Sequence, residues 1–179
     1  MTEFVALLRG INVGGKNILP MSEFRELLTT LGCDDVATYI QSGNAVFRHH
    51  KATAELSELI SEAVMSRFGL QVSVMVLAAS EFAAIAAANP FAADDFEPKF
   101  LSVWFLRERA VNANVQRMDE IACENEVFLL TDSAFYLHAP DGIGRSKLAS
   151  NVERCLAVPA TARNWRTVGK IGVLLEALN

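Results

Sequence analysis

Four polar stretches of this sequence carry residue types that could bind a ligand, and they lie far apart along the chain. The first, residues 10–17, contains three glycines and ends in Lys16 and Asn17. Its spacing matches most of a phosphate-binding loop, but asparagine stands where such a loop needs a hydroxyl group to hold magnesium. Beside Arg9, the flexible backbone N–H groups could form a concave anion site. A glycine-rich turn with solvated charges explains the stretch equally well.

The second stretch, residues 41–44, places amide and hydroxyl groups at the tip of a predicted hairpin. The needs of a tight turn account for Ser42 and Gly43, because glycine supplies positive φ and its neighbours bond the turn backbone. The amides of Gln41 and Asn44 could equally offer paired donors and acceptors to a base, an amide or a phosphate.

The third stretch, residues 141–147, is a glycine-bearing loop that runs into a predicted helix. A helix N-terminus stabilises an anion by a few tenths to about 1 kcal/mol, and Arg145 and Lys147 would add to this. The structural alternative is that Ser146 only caps the helix. Binding is slightly favoured, because two cations at a helix start otherwise oppose its dipole.

The fourth stretch, residues 161–167, is predicted to enter the last helix near Asn164. Helical spacing would then place Arg163, Arg166 and Lys170 on one face. Such cations repel one another by a few tenths of a kcal/mol per pair unless a negative group lies between them. That group could be a ligand or the acidic middle of the chain. Trp165 is interpreted as a core anchor.

The same stretches offer little for proton-transfer catalysis or metal binding. They contain no glutamate or histidine, and Asp141 is their one carboxylate. General acid–base catalysis needs a group that titrates near the working pH. No histidine has other metal ligands near it in sequence, so no metal site is predicted. The carboxylate pairs Asp34-Asp35 and Asp94-Asp95 are expected to be solvated. These residue types favour binding over catalysis, with no cofactor indicated.

The elements that must position these stretches follow a recognisable order in residues 1–77. A buried strand at 3–8 is followed by a helix after Pro20, a hairpin over 36–48, a helix over 53–68 and a strand at 71–77. This βαββαβ order is that of a ferredoxin-like fold with an antiparallel sheet. An RNA-recognition domain of this type would stack bases on strand aromatics. The required aromatic spacing is missing, so nucleic acid is possible as a partner but not favoured.

The remaining residues, 78–179, are predicted to form a second α+β subdomain packed on the first. Strands are expected at 99–106, 126–130 and 134–138, a helix around 113–123, and two helices at the end of the chain. The element order resembles that of the first half, although no residue-level repeat is visible. The fold class is therefore α+β, with a ferredoxin-like half followed by a related half.

Composition limits the class of protein. The chain has 179 residues, 51% of them hydrophobic, with a net charge of −5. It can bury a sizeable core, and it lacks the excess of cations that non-specific nucleic-acid binding requires. Residues 142–179 nevertheless hold six Lys or Arg against two Asp or Glu. Three widely spaced cysteines, no basic leader and no long apolar run predict a cytoplasmic protein with neither a disulfide framework nor a membrane span.

Taken together, residues 7–15, 39–44, 146–148 and 161–168 resemble the bacterial family catalogued as domain of unknown function 1697. The match in order and spacing extends over nearly the whole chain. The resemblance implies a cytoplasmic α+β protein built from ferredoxin-like parts, and it implies no established activity. Family members commonly have a second asparagine after the tryptophan, whereas this chain has Arg166. The substitution adds charge at the candidate site.

These observations lead to one principal hypothesis: the four polar stretches converge on a cleft that binds a small anionic ligand, such as a nucleotide or a phosphorylated metabolite. Two alternatives stay open, namely a phosphate-handling enzyme and a structural or protein-interaction module without a ligand. The candidate ligand-binding residues are Arg9, Asn12, Lys16, Asn17, Gln41, Ser42, Asn44, Ser146, Lys147, Arg163 and Asn164.

Overall fold

A computed structural model describes residues 1–92 and 96–178 of the protein. The chain forms two compact units, unit 1 (Met1–Ala84 with Gly169–Asn179) and unit 2 (Ile85–Val168). The subdomain bounds 1–77 and 78–179 stay a prediction, because the compactness of the two units does not test whether residues 1–77 or 78–179 fold alone. The pair Asp94-Asp95 lies outside the described residues.

Unit 1 contains the predicted ferredoxin-like arrangement. Its sheet has the strand order β2-β3-β1-β4, and every pairing is antiparallel. The hairpin connection between β2 and β3 has four residues, because β2 ends at Tyr39 and β3 begins at Asn44. The elements are β1 (Thr2–Arg9), α1 (Met21–Thr30), β2 (Asp34–Tyr39), β3 (Asn44–His49), α2 (Thr53–Phe68) and β4 (Ser73–Ala78).

Helices α1 and α2 pack on one face of this sheet, because their apolar side chains recur at helical spacing. On the central strand β1, Phe4, Ala6 and Leu8 meet the helices, while Val5 and Leu7 on the other face are also shielded from solvent. The central strand is therefore an uninterrupted apolar run. The helix residues in this core are Met21, Phe24, Leu27 and Leu28 of α1, and Leu56, Ile60 and Val64 of α2.

Unit 2 repeats the same topology, with the strand order β6-β7-β5-β8 and antiparallel pairing throughout. The two halves thus look alike, as the element order indicated. In each half the last strand leads directly into a helix, α3 (Ala79–Ala87) or α6 (Trp165–Glu176). The other elements are β5 (Leu101–Leu106), α4 (Val115–Ile121), β6 (Val127–Leu130), β7 (Ala134–His138), α5 (Lys147–Leu156) and β8 (Ala160–Asn164).

The helical placement of Arg163 was wrong. Residues 160–164 form β8, an edge strand whose register pairs Arg163 with Val103 of β5. Five residues are too few to show a clear period, and the helix that follows hides the boundary. Arg163 therefore does not share a helical face with Arg166 and Lys170.

The fold bears on whether the first loop can be a phosphate-binding loop. A phosphate-binding loop of the nucleotide-hydrolase type belongs to a parallel sheet and opens a helix at its lysine. Here the sheet is antiparallel and α1 begins at Met21, five residues after Lys16.

Across the described residues, no helix has both the length and the hydropathy needed to cross a membrane.

Candidate functional site

The first loop and the hairpin tip meet in unit 1. The Asn12 side chain donates from Nδ2 to the backbone oxygens of Leu19 (2.9 Å) and Gln41 (2.7 Å), and its Oδ1 accepts from the Leu19 N–H (2.8 Å). A second connection runs from the Leu8 N–H to the Gly43 oxygen (2.8 Å). Two of the four polar stretches are therefore parts of one structure.

Other amides of these stretches also bond the backbone. Asn17 donates to the Gly10 oxygen at 2.8 Å, which closes the base of the first loop. Asn44 is 1% exposed and donates to the Tyr39 oxygen (3.1 Å) and to Ser42 Oγ (2.9 Å). These side chains shape the loops. Any ligand contacts they make are additional to that role.

The cations of the first loop are exposed. Arg9 ends β1 opposite Ser73, and Lys16 closes a turn by donating its N–H to the Val13 oxygen at 3.0 Å. Their flanking glycines, Gly10 and Gly15, both have φ of +75°. Glycine adopts this left-handed backbone without steric cost, so the loop can turn between β1 and α1.

A groove of about 330 Å³ lies beside the junction of loop and hairpin. Arg25 of α1 donates from Nη1 to Thr38 Oγ1 of β2 at 3.2 Å across it. Pro20 precedes α1 and makes no side-chain hydrogen bond to the helix. The first turn of α1, which borders the groove, therefore has no side-chain cap. None of the described residues that line the groove is acidic. The lining includes Met21, Ser22, Arg25, Thr38, Ile40 and Gln41.

Sequence reasoning identified only Gln41 among these lining residues. Ser22, Arg25 and Thr38 lie inside regular elements, where motif searches in loops do not find them. One signal was present: α1 starts after a proline with none of the usual capping residues, which leaves its first turn without a side-chain acceptor.

In unit 2 the structural role of Ser146 is clear. Ser146 is 3% exposed and caps α5, since its Oγ accepts from the Ala149 N–H at 2.9 Å. The neighbouring Lys147 is exposed in the first turn, and its backbone oxygen accepts from Asn151 Nδ2 at 2.7 Å. The helix start is thus capped by its own chain, with one lysine beside it.

Asn164 joins three parts of unit 2. Its Nδ2 donates to the backbone oxygens of Lys99 (2.9 Å) and Leu101 (3.1 Å), and its Oδ1 accepts from the Arg166 N–H (3.0 Å). The side chain therefore fixes the start of α6 against the start of β5. This is the role that Asn12 has in unit 1.

Arg163 is the strongly perturbed cation of the protein. Burial lowers the pKa of its guanidinium to about 10, so the group is still charged at neutral pH. Its Nη1 donates to the Ala162 oxygen at 2.7 Å. A partly desolvated cation interacts more strongly with a nearby anion or carbonyl group than one in bulk water.

The predicted convergence of all four stretches is tested only in part. The structure brings the first loop to the hairpin tip within unit 1. The meeting of these with Lys147 and Arg163 of unit 2 stays a prediction. For metals, no group of three or more His, Cys, Asp or Glu with suitable geometry occurs in the described part of the chain.

Comparison with known proteins now places the chain. The family model described as a protein of unknown function, DUF1697, matches residues 1–136. The chain belongs to the DUF1697 family. A similar solved structure is that of the conserved bacterial protein SP0830 from Streptococcus pneumoniae, with 27% identity and a TM-score of 0.76. That match covers 97% of this chain and 98% of the other.

No curated protein matches the chain significantly. The first loop and the hairpin are therefore parts of a DUF1697 protein. The family description names no activity, so the activity must be argued from the site. The groove beside these segments lies within the matched residues 1–136.

Proposed function

We propose that this DUF1697 protein binds a small anionic ligand, a nucleotide or a phosphorylated metabolite, at the end of unit 1 that the first loop and the hairpin tip form. The observation that carries the proposal is the composition of the groove. Among the described residues that line it, Arg25 supplies the charge, and Ser22, Thr38 and Gln41 add hydroxyl and amide groups. These are the groups that bind phosphate oxygens in proteins.

The surroundings favour a ligand with an apolar part as well as an anionic one. Met21 and Ile40 also line the groove, and Ile40 is 52% exposed. Pockets for metabolites combine apolar walls with a few polar groups that fix orientation. A base or a sugar face could lie on these side chains while the phosphate meets Arg25.

The remaining cations extend the proposed contact surface. Arg9 and Lys16 lie on the loop that Asn12 ties to the hairpin, and Arg163 is a partly desolvated cation in unit 2. We include Lys147 and Arg163 of unit 2 in the proposal as further candidate ligand contacts. Asn12 and Asn164 hold the loops in place, and any ligand contacts that they make are additional to that role.

The test is a ligand screen with matched variants. Thermal shift and titration calorimetry are run on the full chain with inorganic phosphate, nucleotides and sugar phosphates. For a ligand that binds, Arg25→Gln is expected to weaken affinity about tenfold or more, the loss of one charge-assisted contact. Arg67→Gln is the control, because Arg67 pairs with Glu26 at 3.2 Å in the same unit and does not line the groove.

Two results contradict the proposal: no stabilisation by any of these ligands, or binding that Arg25→Gln leaves unchanged. Lys147→Gln and Arg163→Gln then measure the contribution of unit 2. Divalent-metal-dependent turnover of a nucleotide by the pure protein would instead support the phosphate-handling enzyme.

A further inference from the structure

Each unit has a pocket at the same place in its topology. The groove of unit 1 lies between the start of α1, after the first loop, and the β2-β3 hairpin. In unit 2 a pocket of about 480 Å³ lies between residues 109–111, which follow β5, and residues 130–132, at the β6-β7 hairpin. Both volumes are in the range of small-molecule sites, so the repeated topology provides two candidate binding sites.

Corresponding backbone hydrogen bonds hold the two hairpins. At the end of β1, the Leu8 N–H donates to the Gly43 oxygen at 2.8 Å. At the end of β5, the Leu106 N–H donates to the Ser133 oxygen at 3.0 Å. Gly43 and Ser133 each stand directly before the next strand of their hairpin, β3 or β7. The pocket of unit 2 is therefore the structural counterpart of the groove of unit 1.

The unit 2 pocket differs from the groove in its charges. Arg109 and Asp132 both line it, with Arg109 Nε 2.8 Å from Asp132 Oδ1. In the groove of unit 1, Arg25 is the charged residue among the described lining residues. The unit 2 pocket therefore presents a cation and an anion side by side, and the pair carries no net charge.

This ion pair is open to further partners. The side chains of Arg109 and Asp132 are 68% and 74% exposed, and within the described residues each has the other as its one side-chain partner. A guanidinium donates from all of its nitrogens and a carboxylate accepts through both oxygens, so the pair can bind additional groups. An exposed pair contributes only about 0–1 kcal/mol to stability, so sharing its groups with a ligand costs little.

The other lining side chains offer mainly apolar surface. Ala110 and Leu130 are partly buried against the core of unit 2, and Val111 is 74% exposed. The Thr131 hydroxyl is already used, because its Oγ1 donates to the Ala134 oxygen (3.0 Å) and accepts from the Ala134 N–H (3.1 Å). A ligand of this pocket therefore needs two opposite charges close together and an apolar part.

We propose that this pocket binds a free α-amino acid with an aliphatic side chain. The ligand carboxylate lies at the Arg109 guanidinium and the ligand ammonium at the Asp132 carboxylate, through charge-assisted hydrogen bonds. The aliphatic side chain lies along Ala110, Val111 and Leu130. An α-amino acid carries both charges next to one carbon atom, which matches the closeness of the ion pair, whereas a peptide separates them. Binding here does not require a ligand in the groove of unit 1.

The test is a titration of the full chain with L-leucine, followed through the amide chemical shifts of residues 109–111 and 130–132. We expect saturable shifts at these residues. N-acetyl-leucine lacks the ammonium charge and leucine amide lacks the carboxylate, so each should bind about tenfold or more weakly. The same spectra report on residues 21–25 and 38–41 of the groove, so failure of one site is distinguished from failure of the other.

Matched variants test the two charges. Arg109→Gln and Asp132→Asn should each weaken leucine binding about tenfold or more. Arg117→Gln and Glu120→Gln are the controls, because Arg117 and Glu120 form an exposed ion pair of 2.9 Å in α4 of the same unit and do not line the pocket. All four positions are exposed, so each variant should fold.

The absence of saturable shifts with leucine up to its solubility limit overturns the proposal. Equal binding of leucine and either analogue overturns it as well, as does leucine binding that Arg109→Gln and Asp132→Asn leave unchanged. Shifts of the pocket residues with inorganic phosphate but not with leucine would show an anion site in its place.

Discussion

Asparagine side chains hold the polar loops of both units in place. Asn12 and Asn17 have φ of +54° and +50°, a backbone region that asparagine tolerates better than most residues, and both bond the backbone of their own loop. Asn164 has the corresponding bonding role in unit 2. At the residue scale, these asparagine amides are first of all structural, and the proposed ligand contacts of the groove come from Arg25, two hydroxyl groups and the Gln41 amide.

Gly43 is the residue of the hairpin tip that accepts no replacement. Its φ is +74°, and a Cβ atom there would lie 2.6 Å from Leu8 Cβ and 2.8 Å from Ile11 Cδ1. We expect Gly43→Ala to lower the free energy of unfolding by about 3 kcal/mol, from backbone strain plus steric overlap.

Denaturant unfolding measures the effect, and Gly14→Ala is the matched control. Gly14 has φ of +58°, and a Cβ atom added there would meet no described atom within 4 Å, so only the strain of about 1 kcal/mol is expected. Equal losses in the two variants would contradict the role of the overlap.

His138 gives unit 2 a dependence on pH. Its Nδ1 is buried without a hydrogen-bond partner among the described residues, and its ring lies 4.3 Å from that of Phe96. Burial lowers the pKa of His138 below the usual 6.5, so the unfolded chain binds this proton more tightly than the folded one. The contribution to stability is therefore complete above about pH 6.5 and is lost as the pH falls toward the folded pKa.

The measurement is the free energy of unfolding of the wild type and of His138→Phe between neutral and mildly acidic pH. The wild type should lose stability relative to the variant as the pH is lowered, because phenylalanine has no proton to bind. A difference that stays constant with pH would show that His138 does not titrate in this window.

At the scale of elements, the Asn12 side chain joins the first loop to the β2-β3 hairpin. Asn12→Ala removes three hydrogen bonds and leaves the Leu19 and Gln41 backbone groups to find other partners. We expect the free energy of unfolding to fall by about 2 kcal/mol, and the groove beside the hairpin to lose its ligand affinity. Unfolding curves and calorimetric titration measure the two effects.

Asn125→Ala is the control for this change. Asn125 makes one exposed hydrogen bond, to Asp141 Oδ2 at 2.9 Å, so a loss within about 0.5 kcal/mol is expected. If Asn12→Ala were as mild as the control, the loop and the hairpin would be held together by other contacts.

Elements differed in how well sequence patterns predicted them. Helix α1 and strand β1 were predicted to within one or two residues, because α1 has a clear apolar face and β1 is a continuous apolar run. Strand β8 was missed because its five residues adjoin a helix directly and its ladder partner β5 lies some 60 positions away. Pairing across such a distance leaves no local pattern.

At the scale of the whole molecule, the chain uses one topology twice and then returns to its first unit. The last segment, Gly169–Asn179, belongs to unit 1, and the Arg48 guanidinium binds the backbone oxygen of Leu178 there. Arg48 also pairs with Glu3 (3.1 Å) and Asp35 (2.9 Å). The N-terminal unit is therefore completed by the C-terminal residues of the chain.

Because the C-terminal residues complete unit 1, a substitution in α6 should lower the stability of this N-terminal unit. Ile171 of α6 is 1% exposed, so Ile171→Ala should lower the free energy of unfolding by about 3 kcal/mol. Val173→Ala, at a position 57% exposed in the same helix, should stay within about 0.5 kcal/mol. Hydrogen exchange would locate the loss in unit 1. Unchanged protection of the strands of unit 1 would contradict its closure by the C-terminal residues.

The sequence by itself determined the α+β class, the first βαββαβ unit, the polar stretches and the family, because these depend on local periodicity, turn chemistry and motif order. Tertiary structure alone decided the strand order and register of the second half, that Asn12 and Asn164 hold loops, and that Arg25 and Thr38 line a groove. The physical reason is distance along the chain. Hydrogen bonds and burial between residues tens of positions apart depend on how the elements pack, and local sequence patterns do not record that packing.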